Sequence, residues 1–138
     1  MSTWLQLRGE SWCIGESAPR VIERHVLDTA LSRLRELGAT VFLLDVGAAT
    51  SAWDVVMSLK QVLPLPDWCG ASWDSIDDAF EELRQGLSFP TAVVVTGGAR
   101  LLDAHPRVAL ETVVRLGELE RAFSIAGDQL LVFHVAGD

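Results

Sequence analysis

Leu65-Pro66-Asp67-Trp68-Cys69-Gly70-Ala71-Ser72-Trp73-Asp74-Ser75-Ile76-Asp77-Asp78-Ala79-Phe80-Glu81-Glu82 begins as a loop and ends as a helix. Pro66 and Gly70 punctuate the first half, with Trp68 set between them. Ser72 reads as the N-cap, because a short hydroxyl side chain can accept a free backbone N–H of the first turn. At about 100° per residue, Trp73, Ile76, Phe80 and Leu83 share one arc of the helix and should face a core. Asp74, Asp77, Asp78 and Glu81 share another.

That second arc is unusual in its chemistry. Like charges at i,i+3 or i,i+4 cost roughly 0.2–0.5 kcal/mol a pair, and no basic side chain follows until Arg84. The helix dipole offsets part of the cost at Asp74, which lies in the first turn. A charged outer face is what most surface helices carry. A negative patch awaiting a positive partner is the sharper reading, and Trp68 favours it. Aromatic residues in loops beside charged groups are common anchors of protein interfaces. The alternative for Trp68 is a tryptophan buried under the loop.

Around this stretch, 138 residues with 49% hydrophobic content make one domain, 1–138, able to bury a core. A net charge of −8 argues against nucleic acid or an anionic membrane as the direct partner and fits a basic protein. The first basic residue is Arg8, with no apolar h-region after it, so no secretory signal is read. No stretch approaches the roughly 20 apolar residues of a membrane span. The expected location is the cytoplasm, where Cys13 and Cys69 would be reduced thiols. They would form a disulfide only if the fold brought them together. They have no histidine at zinc-ligand spacing.

In chain order, Trp4 to Leu7 and Ser11 to Ile14 could pair as a small hairpin about Gly9-Glu10. Gly15 to Pro19 is a loop. From Arg20 to Leu37, Val26, Leu27, Ala30, Leu31 and Leu34 recur at helical spacing, and Gly38 suits the stop. Thr40 to Val46 is a β-rich run. Ser51-Ala52-Trp53-Asp54 resembles a capping box with Asp in place of Glu. It starts a helix from Ala52 to Val62 that should point Trp53, Val56, Leu59 and Leu63 inward. Pro64 and Pro66 end it and stiffen the loop beyond, and a loop ordered in advance loses less entropy on binding. Thr91 to Thr96 is a second buried run. Gly97-Gly98 lacks the Lys and Ser/Thr of a phosphate loop. Pro106 opens a long helix to about Ala122, with Val108, Ala109, Val113, Leu116 and Leu119 inward and Gly117 as a local weak point. Leu130 to Val135 is the last apolar strand. Three near-continuous apolar strands joined through helices predict an α/β fold with a three-stranded parallel sheet, plus an extra N-terminal strand or hairpin and helix.

Catalytic chemistry has little support in these residues. His25, His105 and His134 are scattered, and none neighbours the aspartates in sequence. Asp74, Asp77 and Asp78 on one rigid helix present diverging carboxylates, whereas calcium needs a loop that wraps the ion. A small metal-dependent enzyme using this cluster is therefore the weakest reading. There is no serine nucleophile elbow. No catalytic residue, metal site or cofactor is expected.

The pattern Leu65-Pro66-x-Trp68-x-Gly70-x-Ser72-Trp73-Asp74-x-Ile76-x-Asp78 resembles the central motif of the barstar family, bacterial intracellular inhibitors of secreted ribonucleases. Spacing, loop glycine, cap and both acids agree. The resemblance covers about residues 39–136, so 39–138 reads as a barstar-like core and 1–38 as an N-terminal extension. It implies an inhibitor of a secreted bacterial ribonuclease, guanyl-specific and of the barnase type, bound one-to-one. It implies that Asp74 and Asp78 are interfacial, with Asp78 in the nuclease active site. Trp68 would stack on the partner, Gly70 and Ser72 would shape the loop and cap, and Trp73 would lie at the contact edge. Asp77 and Glu81 extend the acidic arc. The family's best-known member carries a tryptophan where this chain has Asp77, which leaves a target other than barnase open, and an immunity or regulatory protein against another basic toxin or nuclease is the alternative. A family glutamate late in the third helix maps near both Glu118 and Glu120.

Overall fold

The computed structural model describes residues 4–15 and 18–137. The β-rich runs become strands: β1 (Arg20–Glu23), β2 (Thr40–Asp45), β3 (Thr91–Thr96) and β4 (Leu130–Ala136). The helices are α1 (Leu27–Glu36), α2 (Ala52–Val62), α3 (Trp73–Asp78), α4 (Phe80–Gly86), α5 (Gly98–Ala104) and α6 (Pro106–Ile125). One sheet, all parallel, has the order β1-β4-β3-β2. Thr40 pairs with Thr91, Thr91 with Leu130, and Arg20 with Phe133.

The sheet therefore has four strands where three were expected, and the fourth comes from within the predicted helix Arg20–Leu37. Val21 and Ile22 are β-branched, and β4 offers them an open edge to pair with. The helical spacing begins in earnest only at Val26, and a 3₁₀ turn (Arg24–Val26) joins β1 to α1. Gly38, at φ +95°, follows α1, a backbone conformation that residues with a Cβ rarely adopt. The expected hairpin of 4–7 with 11–14 does not form. Ile14 instead bridges Val21, antiparallel. Of the loop expected at 15–19, Glu16 and Ser17 lie outside the described residues.

Strand alternation sends side chains to two cores. On one face, Leu44, Val93, Val95, Leu130 and Val132 pack with α2 to α6, where Phe123 lies 4.7 Å from Phe80 and 5.6 Å from Phe89 between ring centres. On the other, Ala92, Val94, Leu131 and Phe133 meet Leu27, Ala30 and Leu34 of α1, and Trp12 stacks at 5.5 Å on Phe133. Trp12 and α1 thus form a third layer that covers the second face of the sheet.

The seam of that layer is ionic. β1 begins opposite Phe133, so the Val132 amide lies just beyond its reach. The Glu120 carboxylate accepts that N–H at 2.8 Å and meets the Arg20 guanidinium at 2.6 Å, with both side chains largely buried. Glu10 accepts from Arg33 at 2.9 Å and from the Trp12 indole at 3.1 Å. In α6, Ala109, Thr112, Leu116, Leu119 and Phe123 are buried, while Val108 and Val113 are only half-buried. Gly117 is neither strained nor crowded, since an added Cβ would meet nothing within 4 Å. A mid-helix glycine costs about 1 kcal/mol relative to alanine, and the packing of this chain does not require it.

Candidate functional site

Ser72 caps α3 as its position suggests, its hydroxyl accepting the Ser75 N–H at 3.1 Å. The helix expected from Ser72 onward is in fact two short ones. Ala79 takes φ −95° and ψ 11°, ending α3 and starting α4 in one residue. The apolar arc survives the break: Trp73, Ile76 and Leu83 are buried and Phe80 half-buried against Phe123. The Trp73 indole N–H is buried with no hydrogen-bond acceptor among the described residues.

The acidic arc faces solvent. Asp74, Asp77, Asp78 and Glu81 are all exposed. Among the described residues no ion pair reaches Asp74, Asp77 or Asp78. The nearest cation in sequence, Arg84, is turned away. It donates to Asp128 and to the Ala126 carbonyl at the end of α6, and only Glu81 lies within its reach, at 3.7 Å. Three adjacent carboxylates thus keep their charge for solvent or a partner, while Glu81 shares an arginine.

The loop ahead of the helix is held from behind. Cys69 N–H donates to the Pro66 carbonyl at 3.0 Å, closing a tight turn with Trp68 at its outer corner. The Lys60 ammonium, in the last turn of α2, donates to the Cys69 carbonyl. The Cys69 side chain is buried beneath, its thiol 3.5 Å from the carbonyls of Gly70 and Ser75. Burial pushes that thiol up; Lys60 lowers it and Asp78 raises it, which places both charges beside Cys69. Gly70 fits because a Cβ there would lie 2.8 Å from the Ser75 hydroxyl. On this anchored frame Trp68 stands 61% exposed.

Not every expected residue lies where the pattern placed it. Trp53, expected inward, is 58% exposed on α2, while Val56, Leu59 and Leu63 are buried. Val55, Val56 and Leu59 set the buried face of α2, and at 100° per residue Trp53 lies roughly 110° from its centre. Asp54 completes a variant of the capping box. Its carboxylate accepts from the Thr50 N–H and hydroxyl, both at 2.9 Å, and these hydrogen bonds hold it below the usual carboxylate range. Glu120 is committed to Arg20 and Val132, whereas Glu118 is exposed. Lys60 escaped the sequence reading, although a basic residue in the last turn of a helix beside a proline-stiffened loop was a usable signal. Cys13 and Cys69 are both free thiols. Among the described residues no group of three His, Cys, Asp or Glu is placed to hold a metal, and no helix is long and apolar enough to cross a membrane.

A family model described as Barstar (barnase inhibitor) matches residues 39–135, well over half of the chain. This chain belongs to the barstar family. The match begins at Ala39, one residue before β2, and ends within β4. The barstar portion therefore holds α2 to α6, the tryptophan loop and the acidic arc, and β1 and α1 lie outside it. By its description the family is one of inhibitors, and the partner it names is a ribonuclease. No curated protein sequence matches this chain.

Proposed function

We propose that this chain inhibits a secreted, guanyl-specific bacterial ribonuclease of the barnase type by one-to-one occlusion of its basic active site. A ribonuclease cleft gathers Arg, Lys and His to hold phosphates. Asp74, Asp77 and Asp78 would take the phosphate positions, with Asp78 deepest, and Trp68 would stack on the rim. Gly70, Ser72 and Trp73 shape and support that surface, and Glu81 extends its field. The observation that carries this reading is the pairing state of the aspartates: three exposed carboxylates with no ion pair among the described residues, beside an exposed tryptophan on a pinned loop.

The field of an acidic patch on a chain of net charge −8 speeds encounter with a basic partner and fades as salt screens it. Calorimetry with a purified barnase-type ribonuclease should show tight, stoichiometric, salt-sensitive binding. Asp78→Ala should cost at least about 2 kcal/mol, the threshold of an interface hot spot, on a scale that includes values measured on barnase and barstar themselves. If Asp78→Ala and Trp68→Ala both leave inhibition intact, the site is elsewhere. One observation favours a second reading, a same-fold immunity or regulatory protein against another basic toxin or nuclease. Asp77 is exposed and charged where a tryptophan stands in the family's best-known member. Failure to bind barnase-type enzymes, with capture of a different basic nuclease that depends on Asp78, would select it.

A further inference from the structure

The outer face of α6 differs from the rest of the surface. At about 100° per residue, Arg107, Leu110, Val114, Gly117, Glu118, Arg121 and Ile125 lie on one stripe. Leu110 is 62%, Val114 59% and Ile125 78% exposed. Beside the stripe, an apolar pocket of about 270 Å³ opens between α5, α6 and the end of β4, lined by Leu102, Ala109, Leu110, Val113 and His134 among others. The outward-facing charges of the helix also alternate, Arg107, Glu111, Arg115, Glu118, Arg121, in a protein whose net charge is −8, while Glu120 turns inward to Arg20. Among the described residues none of these five side chains is in an ion pair, although their spacing makes them neighbours. Gly117 sits on the same stripe, and nothing in its own chain explains it.

We propose that this stripe is a homodimer interface, occupied by the α6 of a second copy running antiparallel about a two-fold axis beside Thr112. That axis sets Leu110 of each copy against Val114 of the other. It brings Arg107 alongside Gly117 and within reach of Glu118, and does so twice, since a two-fold contact is isologous. Gly117 then has a purpose: its missing side chain makes room for the stem of Arg107. The charge pattern selects the occupant. Two copies repel across most of their acidic surface, but here the Arg107–Glu118 pair forms twice. A basic partner would meet Arg107, Arg115 and Arg121, and a small apolar ligand would leave all five charges unused. The inference does not rest on the inhibitor reading, and its test needs no nuclease.

Sedimentation equilibrium of the full chain over roughly 1–500 µM should show a reversible monomer–dimer equilibrium. Leu110→Asp, at an exposed position, should leave the thermal midpoint of the monomer unchanged and raise the dissociation constant at least about 30-fold, as loss of a central anchor does. Arg107→Glu should weaken the dimer, and Arg107→Glu with Glu118→Arg should restore it. A wild-type chain that stays monomeric throughout overturns the proposal, as does a dimer indifferent to Leu110→Asp and to the charge swap. A monomer that takes up an apolar dye in a Leu110-dependent way also overturns it and assigns the pocket to a small apolar ligand.

Discussion

The molecule treats its carboxylates in two opposite ways. Along the seam of the N-terminal layer, Glu120 lies against Arg20 and the Val132 amide, and Glu10 against Arg33 and the Trp12 indole. On α3, Asp74, Asp77 and Asp78 have no such partner among the described residues, and the arginine nearest in sequence is engaged elsewhere. The chain places an arginine against each buried carboxylate of the seam and, among the described residues, none against the three aspartates of α3. A buried charge without a counterion is strongly destabilising, while an exposed one is solvated and costs only mild repulsion. The seam therefore concerns folding, and the arc is left available for contact. Each half of that contrast can be tested separately.

The largest effect should come from breaking the seam. Arg20→Ala strands Glu120 under β1 and should lower stability by about 3–5 kcal/mol, read by denaturant unfolding. Nuclease affinity of the folded fraction should not change. A loss below about 1 kcal/mol would mean that Glu120 finds water there and that the seam is not built on this pair. Next comes the frame of the loop. Lys60→Met removes a charged donor from the Cys69 carbonyl, a bond class worth about 1.5–3 kcal/mol. Amide exchange at Trp68 and Cys69 should speed up and nuclease binding weaken, with the aspartates untouched. Unchanged exchange would show that the turn and the buried thiol hold the loop alone. Ser72→Ala, which deletes the cap of α3, should cost about 1 kcal/mol of stability.

The smallest effect is a pH dependence beside the seam, at His134. Burial pushes His134 below its ordinary value of 6.5, against an opposing pull from Glu120. The unfolded chain then binds more protons than the folded one as pH falls through 6.5, so stability is full above that value and declines below it. His134→Gln should flatten this decline in thermal midpoints taken from pH 7.5 downward. An identical decline in the variant would assign it to the paired carboxylates of the seam.

Much of this was legible in the sequence, and the misses share a cause. Runs such as Thr91–Thr96 are buried on both faces and read as strands without outside information. The Ser72 cap and the acidic arc follow from helical geometry alone, and Pro66 and Gly70 placed Trp68 in the loop ahead of them. The strand at Arg20–Glu23 did not announce itself. Four residues carry too little periodicity, and β1 exists because β4 has an edge to fill. Likewise, no spacing rule joins Arg20 to Glu120 or Arg84 to Asp128, which meet only once the sheet and α6 are in place. Trp53 misled because the inward arc was drawn through it and not through Val55, which the structure buries on the opposite side of α2. Local order was readable wherever neighbours in sequence decide it, and hidden wherever a distant segment does.

Lys60 grips a main-chain oxygen of the loop rather than any side chain. Every residue type offers that oxygen, so the clasp is indifferent to what the loop displays. Trp68 or Asp67 can be exchanged for other groups while the scaffold that presents them stays in register. A lineage carrying such a clasp can pursue a drifting adversary by changing the face it shows, without having to reinvent the mount.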